Sequence, residues 1–414
     1  MPVSAVFGAE PVPPTQTLPT VILAGCGYGA IAALRALSGR ARVIAINPYP
    51  YIVNSGMSTR LISGRFDSDL VRIPLLDHVA RYGAEFVEGR VTQINPVEQQ
   101  VQVKTPEGSQ WLSYDYLLLN VGRELATHGI PGAQDHAFGV RPMTDLVRAH
   151  QHVRDCWRRA VAGDLTPGLL TFAVVGGGCT GVELVGELGD LCQELSHKTG
   201  IPMSGVRLIL VAGDRPLVAG LSSRFGEQVE QSLLGQGIEV WRPCRVQAVE
   251  ADGIQVRWSE SNREERLPCL TTLWAGGLQV PQWLGQTGLP LAVDGSIRVE
   301  STLQVQGSQS MLAMGDCAYF ERDPGIMVPK IGVYAVRQAP IVAQNLVNLI
   351  DHQPLISYRP QKTAFVSVTI GNKVAVMEKG SLVLKGYFVT VLKNLFDWLY
   401  MRSLKPVRWQ DFFY

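Results

Sequence analysis

Two copies of one strand–turn–helix pattern constrain the fold of this chain more than any other feature. In the first copy, the apolar run "VILA" (21–24) predicts a buried strand, and the spacing Gly25-x-Gly27-x-x-Ala30 predicts a tight turn into a helix. The segment "ARVIAIN" predicts a second strand and completes a βαβ unit. Glycines at these positions let backbone N–H groups at a helix N-terminus approach a pyrophosphate. The first copy therefore predicts a dinucleotide-binding site.

The second copy, "FAVVGGGCTGVELVGEL", lies near the middle of the chain. Its glycines have the spacing Gly176-x-Gly178-x-x-Gly181, and "VRLILVAG" predicts the strand that follows the helix. A single motif of this kind is weak evidence, but both copies have the correct strand–turn–helix–strand context. Together they predict two similar domains that bind two dinucleotides.

Composition excludes several other classes of protein. The formal net charge of +1 leaves no excess of cations for a protein built mainly to bind nucleic acid. The seven cysteines form no CxxC pair, so neither a metal site nor a redox-active dithiol is expected, and their irregular spacing favours a reducing, cytoplasmic compartment. No apolar run reaches the roughly 18 residues of a transmembrane helix.

The order of the motifs resembles that of the FAD/NAD-linked reductase superfamily over about residues 20–400. The motifs are the Gly25–Ala30 loop, "LLLNVG" (117–122), "GIPG" (129–132), "VVGGGCTGVELVGEL", "LWAGG" and "AMGDCA". Within the superfamily, the chain is most similar to type II NAD(P)H dehydrogenases, which pass electrons from NAD(P)H through FAD to a quinone. The segments "YIVNSGMSTRLISG" and "PKIGVYAVRQ" more closely resemble the flavoprotein module fused to some selenide, water dikinases, and "PK" followed by "Y" is similar to ferroptosis-suppressor-type quinone reductases.

This resemblance implies an α/β fold with two Rossmann-like three-layer dinucleotide-binding domains and a small C-terminal α/β region. Because a Gly-Asp motif of the FAD domain returns late in the chain, that domain is discontinuous. The expected segments are a flexible leader (1–18), the FAD domain (19–140 and 270–350), the NAD(P)H domain (141–269) and the C-terminal region (351–414).

The resemblance also assigns residues to the FAD site. The glycine loop, with Gly29 beside Gly25, Gly27 and Ala30, is expected to hold the pyrophosphate. The other expected FAD-binding residues are Asn47 at the adenosine ribose, Val91, Gly122, Gly315, Asp316 at the ribityl chain, and Lys330 near the flavin pyrimidine edge. Asp316 could instead cap a helix, and Lys330 could be a solvated surface side chain.

The chain departs from the family pattern at three places. Asn47 stands where a Glu or Asp usually binds the ribose hydroxyls, and "NVG" replaces the common "ATG". Val333 and Arg337 stand at positions that Gln often occupies near a quinone, while Gln338 is retained. These departures leave the identity of the electron acceptor open.

The NAD(P)H site is expected around the second glycine loop. Its predicted residues are Gly176, Gly178, Thr180, Gly181, Glu183, Ala212, Arg215 and Gly276. By resemblance, Glu183 lies where the nicotinamide stacks on the flavin and is expected to be catalytic, tuning hydride or proton transfer, although a Glu near a helix start is also favoured by the helix dipole. Ala212 ends the second strand where NADH-specific sites usually carry a carboxylate, and Arg215 could pair with a 2′-phosphate, so we expect NADPH to be accepted. Asp214, beside Arg215, could instead bind the ribose itself.

The C-terminal segment "GYFVTVLKNLFDWLYMRSLKPVRW" predicts an amphipathic helix. Its apolar stripe comprises Phe388, Val391, Leu392, Leu395, Phe396 and Leu399, with basic residues nearby. This composition suits a helix at a membrane interface, so a peripheral location on the cytoplasmic side of a membrane is expected. The alternatives are a helix packed on the body, or a homodimer interface.

The motifs and the resemblance together favour transfer of electrons from NAD(P)H through FAD to a membrane quinone. One alternative retains both cofactors but reduces a ferredoxin-like protein or a sulfur or selenium compound. Another is a redox-sensing flavoprotein with slow turnover.

Overall fold

The computed structural model of the protein describes residues 18–323 and 325–412. All of the predicted leader except Leu18 lies outside these residues. The α-helices of the described residues are α1 (Tyr28–Leu37), α2 (Ser68–Val71), α3 (Leu75–Arg81), α4 (Ala133–His136), α5 (Met143–Val161), α6 (Cys179–Thr199), α7 (Ser223–Leu234), α8 (Gly332–Ile350) and α9 (Tyr387–Arg402). Short 3-10 helices span Ser58–Leu61, Met203–Gly205, Gln282–Gln286, Gly315–Cys317 and Trp409–Asp411.

The first glycine unit builds a five-stranded parallel sheet. From edge to edge, its strands are Met311–Ala313, Tyr116–Leu119, Thr20–Ala24, Arg42–Asn47 and Glu85–Glu88. The central strands read as continuous apolar runs because helices cover both faces of a parallel sheet. An antiparallel sheet of Arg90–Asn95, Gln100–Thr105 and Gly108–Ser113 is inserted between the strands, as the sequence predicts.

The second glycine unit repeats this architecture. Its parallel strands are, in order, Phe138–Gly139, Thr271–Trp274, Thr171–Val175, Arg207–Val211 and Glu239–Trp241. An antiparallel sheet of Cys244–Glu250, Gly253–Trp258 and Glu264–Pro268 is inserted here too. Strands Phe138–Gly139 and Thr271–Trp274 lie outside the expected range 141–269. Both nevertheless hydrogen-bond within the second sheet. By strand pairing, the second domain extends from about Phe138 to Trp274.

The last third of the chain returns to the first domain and then forms a small C-terminal unit. Strand Met311–Ala313 pairs with Tyr116–Leu119, and α8 packs along α1, so these late segments join the first parallel sheet. The C-terminal unit is an antiparallel sheet of Val366–Ile370, Val374–Lys379 and Leu382–Gly386 with α9 packed on it. The remaining strands form two-stranded pairs: Tyr51–Val53 with Arg72–Pro74, Glu124–Leu125 with Leu278–Gln279, Ile297–Arg298 with Ala318–Tyr319, and Glu321–Asp323 with Ile326–Met327.

Both glycine loops lie where ligands bind in open parallel sheets. In each sheet, the strand that follows Thr20–Ala24 or Thr171–Val175 in the chain is added on one side of it, and a later strand is added on the other side. A crevice therefore opens at the carboxyl ends of these two strands. Helices α1 and α6 begin there, with Gly27 and Gly178 as N-caps that contribute no side chain. The backbone N–H groups of both helix N-termini are thereby left for a ligand or a neighbouring side chain.

Candidate functional site

A cavity of about 680 Å³ opens at the carboxyl ends of the first sheet. Most of the residues predicted for the FAD site line it, namely Gly25, Gly27, Asn47, Val91, Gly122, Gly315 and Asp316. Residues far apart in the sequence therefore converge on one site large enough for a dinucleotide.

Gly29 and Ala30 do not line this cavity but hold its glycine loop in place. A Cβ atom on Gly29 would overlap the sulfur of Met314, and Ala30 is completely buried. Gly25 has φ +81°, and a Cβ atom there would lie 2.6 Å from the backbone oxygen of Asn120. These residues are small because α1 and the neighbouring strand ends pack closely around the loop.

Asn120, in the "NVG" segment, forms hydrogen bonds with the backbone of the first glycine loop. In the amide orientation that satisfies both donors, its side-chain oxygen accepts hydrogen bonds from the N–H groups of Gly27 (3.1 Å) and Gly29 (3.3 Å). The side chain is buried and lines the cavity. Asn120, which replaces the Ala of "ATG", thus adds a polar side chain that contacts the loop. The sequence alone did not predict this contact.

Asn47 already uses its amide within the protein. Its Oδ1 accepts from the N–H of Cys26 (3.0 Å), and its Nδ2 donates to the carbonyl oxygens of Tyr49 (2.8 Å) and Tyr51 (3.2 Å). Tyr49 and Tyr51 stack with ring centroids 5.3 Å apart, and both line the cavity. Asn47 therefore orders the aromatic end of the cavity, and only the second lone pair of Oδ1 is left for a ribose.

Asp316 also lines this cavity. It belongs to the 3-10 helix Gly315–Cys317, whose N-cap is Met314, so it is not a capping residue. Its carboxylate Oδ2 lies 3.8 Å from Nη2 of Arg141, and its carbonyl oxygen accepts from Nε of Arg123 (3.0 Å). Arg123 and Arg141 both line the cavity and were not identified from the sequence, although Arg123 directly follows Gly122 at a strand end.

Lys330 lies next to the cavity rather than in its wall. It lines a small neighbouring space together with Gly315 and Asp316, and its Nζ donates to the carbonyl oxygen of Ala318. Burial, together with the Arg123 guanidinium, lowers the pKa of Lys330 to about 8. The alternative of a freely solvated lysine does not describe this side chain.

The glycines of the second loop have two roles: Gly176 and Gly181 allow close packing, and Gly178 leaves space for a ligand. A Cβ atom on Gly176 would overlap the carbonyl oxygen of Ala275, and one on Gly181 would overlap that of Gly176. A Cβ atom on Gly178 would meet nothing within 4 Å, and Thr180 beside it is exposed at the start of α6. The N-terminus of α6 is therefore open to a ligand. Gly276 follows Ala275 at the edge of this loop, where a Cβ atom would lie 3.0 Å from the Trp274 ring.

Glu183 is buried where three parts of the chain meet. It accepts hydrogen bonds from Thr59 Oγ1 (3.2 Å) and from the N–H of Thr369 (3.3 Å), and Lys393 Nζ of α9 lies 4.0 Å away. Burial raises the pKa of the Glu183 carboxyl, an effect that the Lys393 ammonium opposes. Glu183 thus connects α6 to the first domain and to the C-terminal unit, which is more than a favourable position near a helix start.

Glu187, one turn further along α6, is completely buried. Ser63 donates a hydrogen bond to it (2.6 Å), and Arg65 forms an ion pair with it. Glu187 thus connects α6 to the segment that carries Ser63 and Arg65.

The end of strand Arg207–Val211 carries the residues expected to contact the adenosine ribose of the donor. Ala212 is buried, while Arg215 is exposed and forms no hydrogen bond or ion pair with any described residue. The Asp214 carboxylate accepts hydrogen bonds from Nε of Arg245 (3.0 Å) and from the Ser259 hydroxyl, and these bonds lower its pKa. Asp214 is therefore already occupied by partners in its own domain.

Helix α9 packs on the body with its polar face. Its buried residues include Thr390, Lys393 and Asn394, and Lys393 pairs with Asp397 (3.1 Å). At 100° per residue, the predicted apolar stripe lies on the opposite face, where Phe388 and Phe396 are exposed. The helix thus packs on the protein and also presents an apolar surface.

Two features are absent from residues 18–323 and 325–412. No helix there is both long and apolar enough to cross a bilayer. No group of three or more His, Cys, Asp or Glu side chains there is arranged to hold a metal ion.

The chain is similar to several characterised proteins. Residues 19–339 match the family described as pyridine nucleotide-disulphide oxidoreductase. The demethylphylloquinone reductase NdbB of Synechocystis sp. is 25% identical over 390 residues, which cover 92% of each chain. The type II NADH:quinone oxidoreductase of Staphylococcus saprophyticus is 25% identical over 344 residues, which cover 81% of this chain and 83% of the relative.

Solved structures share the fold at lower identity. NDH2 from Plasmodium falciparum in complex with NADH has a TM-score of 0.81 at 18% identity and covers 95% of this chain and 96% of its own. The sulfide:quinone oxidoreductase of Aquifex aeolicus has a TM-score of 0.77 at 18% identity, with coverage of 93% and 91%. These likenesses confirm the predicted α/β fold with two dinucleotide-binding domains.

Proposed function

The chain belongs to the pyridine nucleotide-disulphide oxidoreductase family, and from this premise we propose that it transfers electrons from NAD(P)H through FAD to a quinone. The observation that carries the proposal is the pairing of two sites. One is a cavity of about 680 Å³ at the first glycine loop, and the other is a second loop whose helix N-terminus is open at Gly178. The resemblance to type II NAD(P)H dehydrogenases supplies the reaction class.

The residues of the first cavity fit FAD. The N-terminus of α1 faces the cavity and favours an anionic pyrophosphate. Tyr49 and Tyr51 provide an aromatic surface for the adenine end, and the Asp316 carboxylate provides an acceptor for ribityl hydroxyl groups. When bound, the flavin supplies the chemistry that joins a two-electron hydride donor to the acceptor.

The protein residues around the flavin control position and charge. Lys330, beside Asp316, brings a cation to this end of the cavity, which favours extra negative charge on a reduced flavin. Arg123 and Arg141 hold the backbone and side chain of Asp316. Glu183 joins α6 to the first domain through Thr59, so it fixes the donor helix relative to the flavin cavity.

Both NADH and NADPH are proposed as donors. The open N-terminus of α6 suits the pyrophosphate that the two share. Ala212 contributes no carboxylate at the strand end, and Arg215 has no hydrogen-bond or ion-pair partner within residues 18–323 and 325–412, so a 2′-phosphate meets an available cation instead of a repelling charge.

The acceptor is proposed to be a quinone reached from a membrane surface. The curated relatives include a demethylphylloquinone reductase and a type II NADH:quinone oxidoreductase. The exposed apolar face of α9 supports a peripheral membrane location, because a quinone with an apolar tail resides in the bilayer.

A steady-state acceptor profile of the purified FAD-loaded protein tests this proposal. We expect NADH or NADPH oxidation that depends on a soluble quinone and is saturable in it. Fast flavin reduction by the donor with poor quinone turnover would instead support a ferredoxin-like protein or a sulfur or selenium compound as the acceptor. Slow flavin reduction by both donors would support a redox-sensing flavoprotein.

A further inference from the structure

The adenosine end of the donor site includes residues from an inserted sheet far along the chain. Ala212 marks the strand end where dinucleotide-binding folds distinguish a 2′-hydroxyl from a 2′-phosphate. Its carbonyl oxygen accepts a hydrogen bond from the N–H of Cys244 (2.8 Å), and its own N–H donates to Trp241 (2.9 Å). Arg245, the next residue after Cys244, is therefore fixed beside this strand end.

Three charged side chains surround this position. Asp214 is held by Nε of Arg245 (3.0 Å) and by the Ser259 hydroxyl, whereas Arg215 has no partner among the described residues. A free Asp214 carboxylate would accept hydrogen bonds from ribose hydroxyls and repel a 2′-phosphate. Paired with Arg245, the carboxylate is neutralised, and the local charge of two arginines and one aspartate is positive.

We propose that Arg245 determines which donor this site prefers, by holding Asp214 away from the ribose and by joining Arg215 as a second cation for a 2′-phosphate. This inference rests on the proposed NAD(P)H-dependent function. In the structure, the Asp214 carboxylate is the anion bound to Arg245 and Ser259. A 2′-phosphate, with more charge and more acceptor oxygens, competes for the same guanidinium.

The substitution Arg245→Ala tests this role. We expect the ratio of kcat/KM for NADPH to that for NADH to fall by about tenfold or more, because one charge-assisted contact is lost and Asp214 is released. Asp214→Ala is expected to change the ratio in the opposite direction, because Arg245 then loses its competing anion. Arg266→Ala is the matched control, since Arg266 lies on the third strand of the same inserted sheet and pairs with Glu250 (2.9 Å) and Asp252 (2.6 Å).

Binding of two adenosine fragments separates this inference from the proposed function. The FAD-loaded protein is expected to bind 2′,5′-ADP more tightly than 5′-AMP, and Arg245→Ala is expected to remove most of that difference while Arg266→Ala retains it. Equal binding of the two fragments by the unsubstituted protein, or an unchanged preference in Arg245→Ala, would overturn the inference. If neither NADH nor NADPH reduces the flavin, the proposed function fails, yet the fragment measurement still decides the role of Arg245.

Discussion

Replacing three exposed apolar side chains of α9 with serine is expected to release the protein from lipid vesicles without unfolding it. Phe388, Phe396 and Leu399 are 70%, 47% and 49% exposed, and they lie within about 80° of one another around the helix. Phe388 and Leu399 lie about 120° or more around the helix from the buried Lys393 and Asn394. Phe396 lies about 60° from Lys393, and its ring also contacts Phe365, with centroids 5.4 Å apart. Their substitution therefore removes apolar surface and leaves the buried polar contacts of the helix in place.

The size of the effect follows from the exposed area. Full burial of a Leu or Phe side chain contributes about 1.5–3 kcal/mol, so the exposed fractions contribute roughly 1–2 kcal/mol each on entering a membrane interface. The three together contribute about 3–5 kcal/mol, which lowers the vesicle partition coefficient by roughly two to four orders of magnitude.

Cosedimentation of the full chain with vesicles of phosphatidylcholine and phosphatidylglycerol measures this change. A matched control replaces Val97, Leu165 and Val293, which are more exposed but scattered over the body, with serine. We expect the control protein to sediment like the unsubstituted one. If the α9 variant also sediments fully, or if the control releases as much protein, the account of α9 as a membrane-binding surface is refuted. Deletion of α9 is a poorer test, because it also removes Lys393 from Glu183.

Three further substitutions test the cofactor sites. Gly178→Ala adds a methyl group that meets no protein atom, so we expect normal folding but a roughly tenfold higher Kd for NAD(P)H, with the equally open Gly205→Ala as control. Asn120→Ala removes two hydrogen bonds to the first loop, worth about 1 kcal/mol each, and is expected to weaken FAD binding about 30-fold, measured by FAD release. Lys330→Met is expected to lower the flavin midpoint potential by about 30 mV. That difference should shrink as the pH rises through the Lys330 pKa of about 8, because the ammonium is then lost; an equal difference at all pH values would argue against the role of its charge.

The sequence was sufficient for features that depend on local pattern. Apolar runs followed by glycine turns predict the two parallel sheets and the N-termini of α1 and α6, because backbone conformation and close packing allow only small residues there. The pair Gly315-Asp316 follows a predicted strand end, and the resemblance to the reductase superfamily placed it at the first cavity. These features need few contacts between distant segments.

The sequence was insufficient where a side chain's partner lies far along the chain. Asn120 supports the glycine loop, and Arg245 binds Asp214, through contacts that no local periodicity reveals. The orientation of α9 is a further example. Its apolar stripe predicts an amphipathic helix, but the face that packs inward depends on distant partners, such as Glu183, whose carboxylate lies 4.0 Å from the Lys393 ammonium.

Transfer of electrons from the donor through the flavin to a quinone is tested most directly by an anaerobic single-turnover measurement. The FAD-loaded protein is mixed first with one equivalent of NADH or NADPH and then with a short-chain ubiquinone analogue, while the flavin absorbance is recorded. The account predicts that the donor bleaches the flavin and that the quinone restores its absorbance, with one quinone reduced per flavin. A flavin that neither donor bleaches, or a reduced flavin that the quinone leaves bleached, would contradict the account.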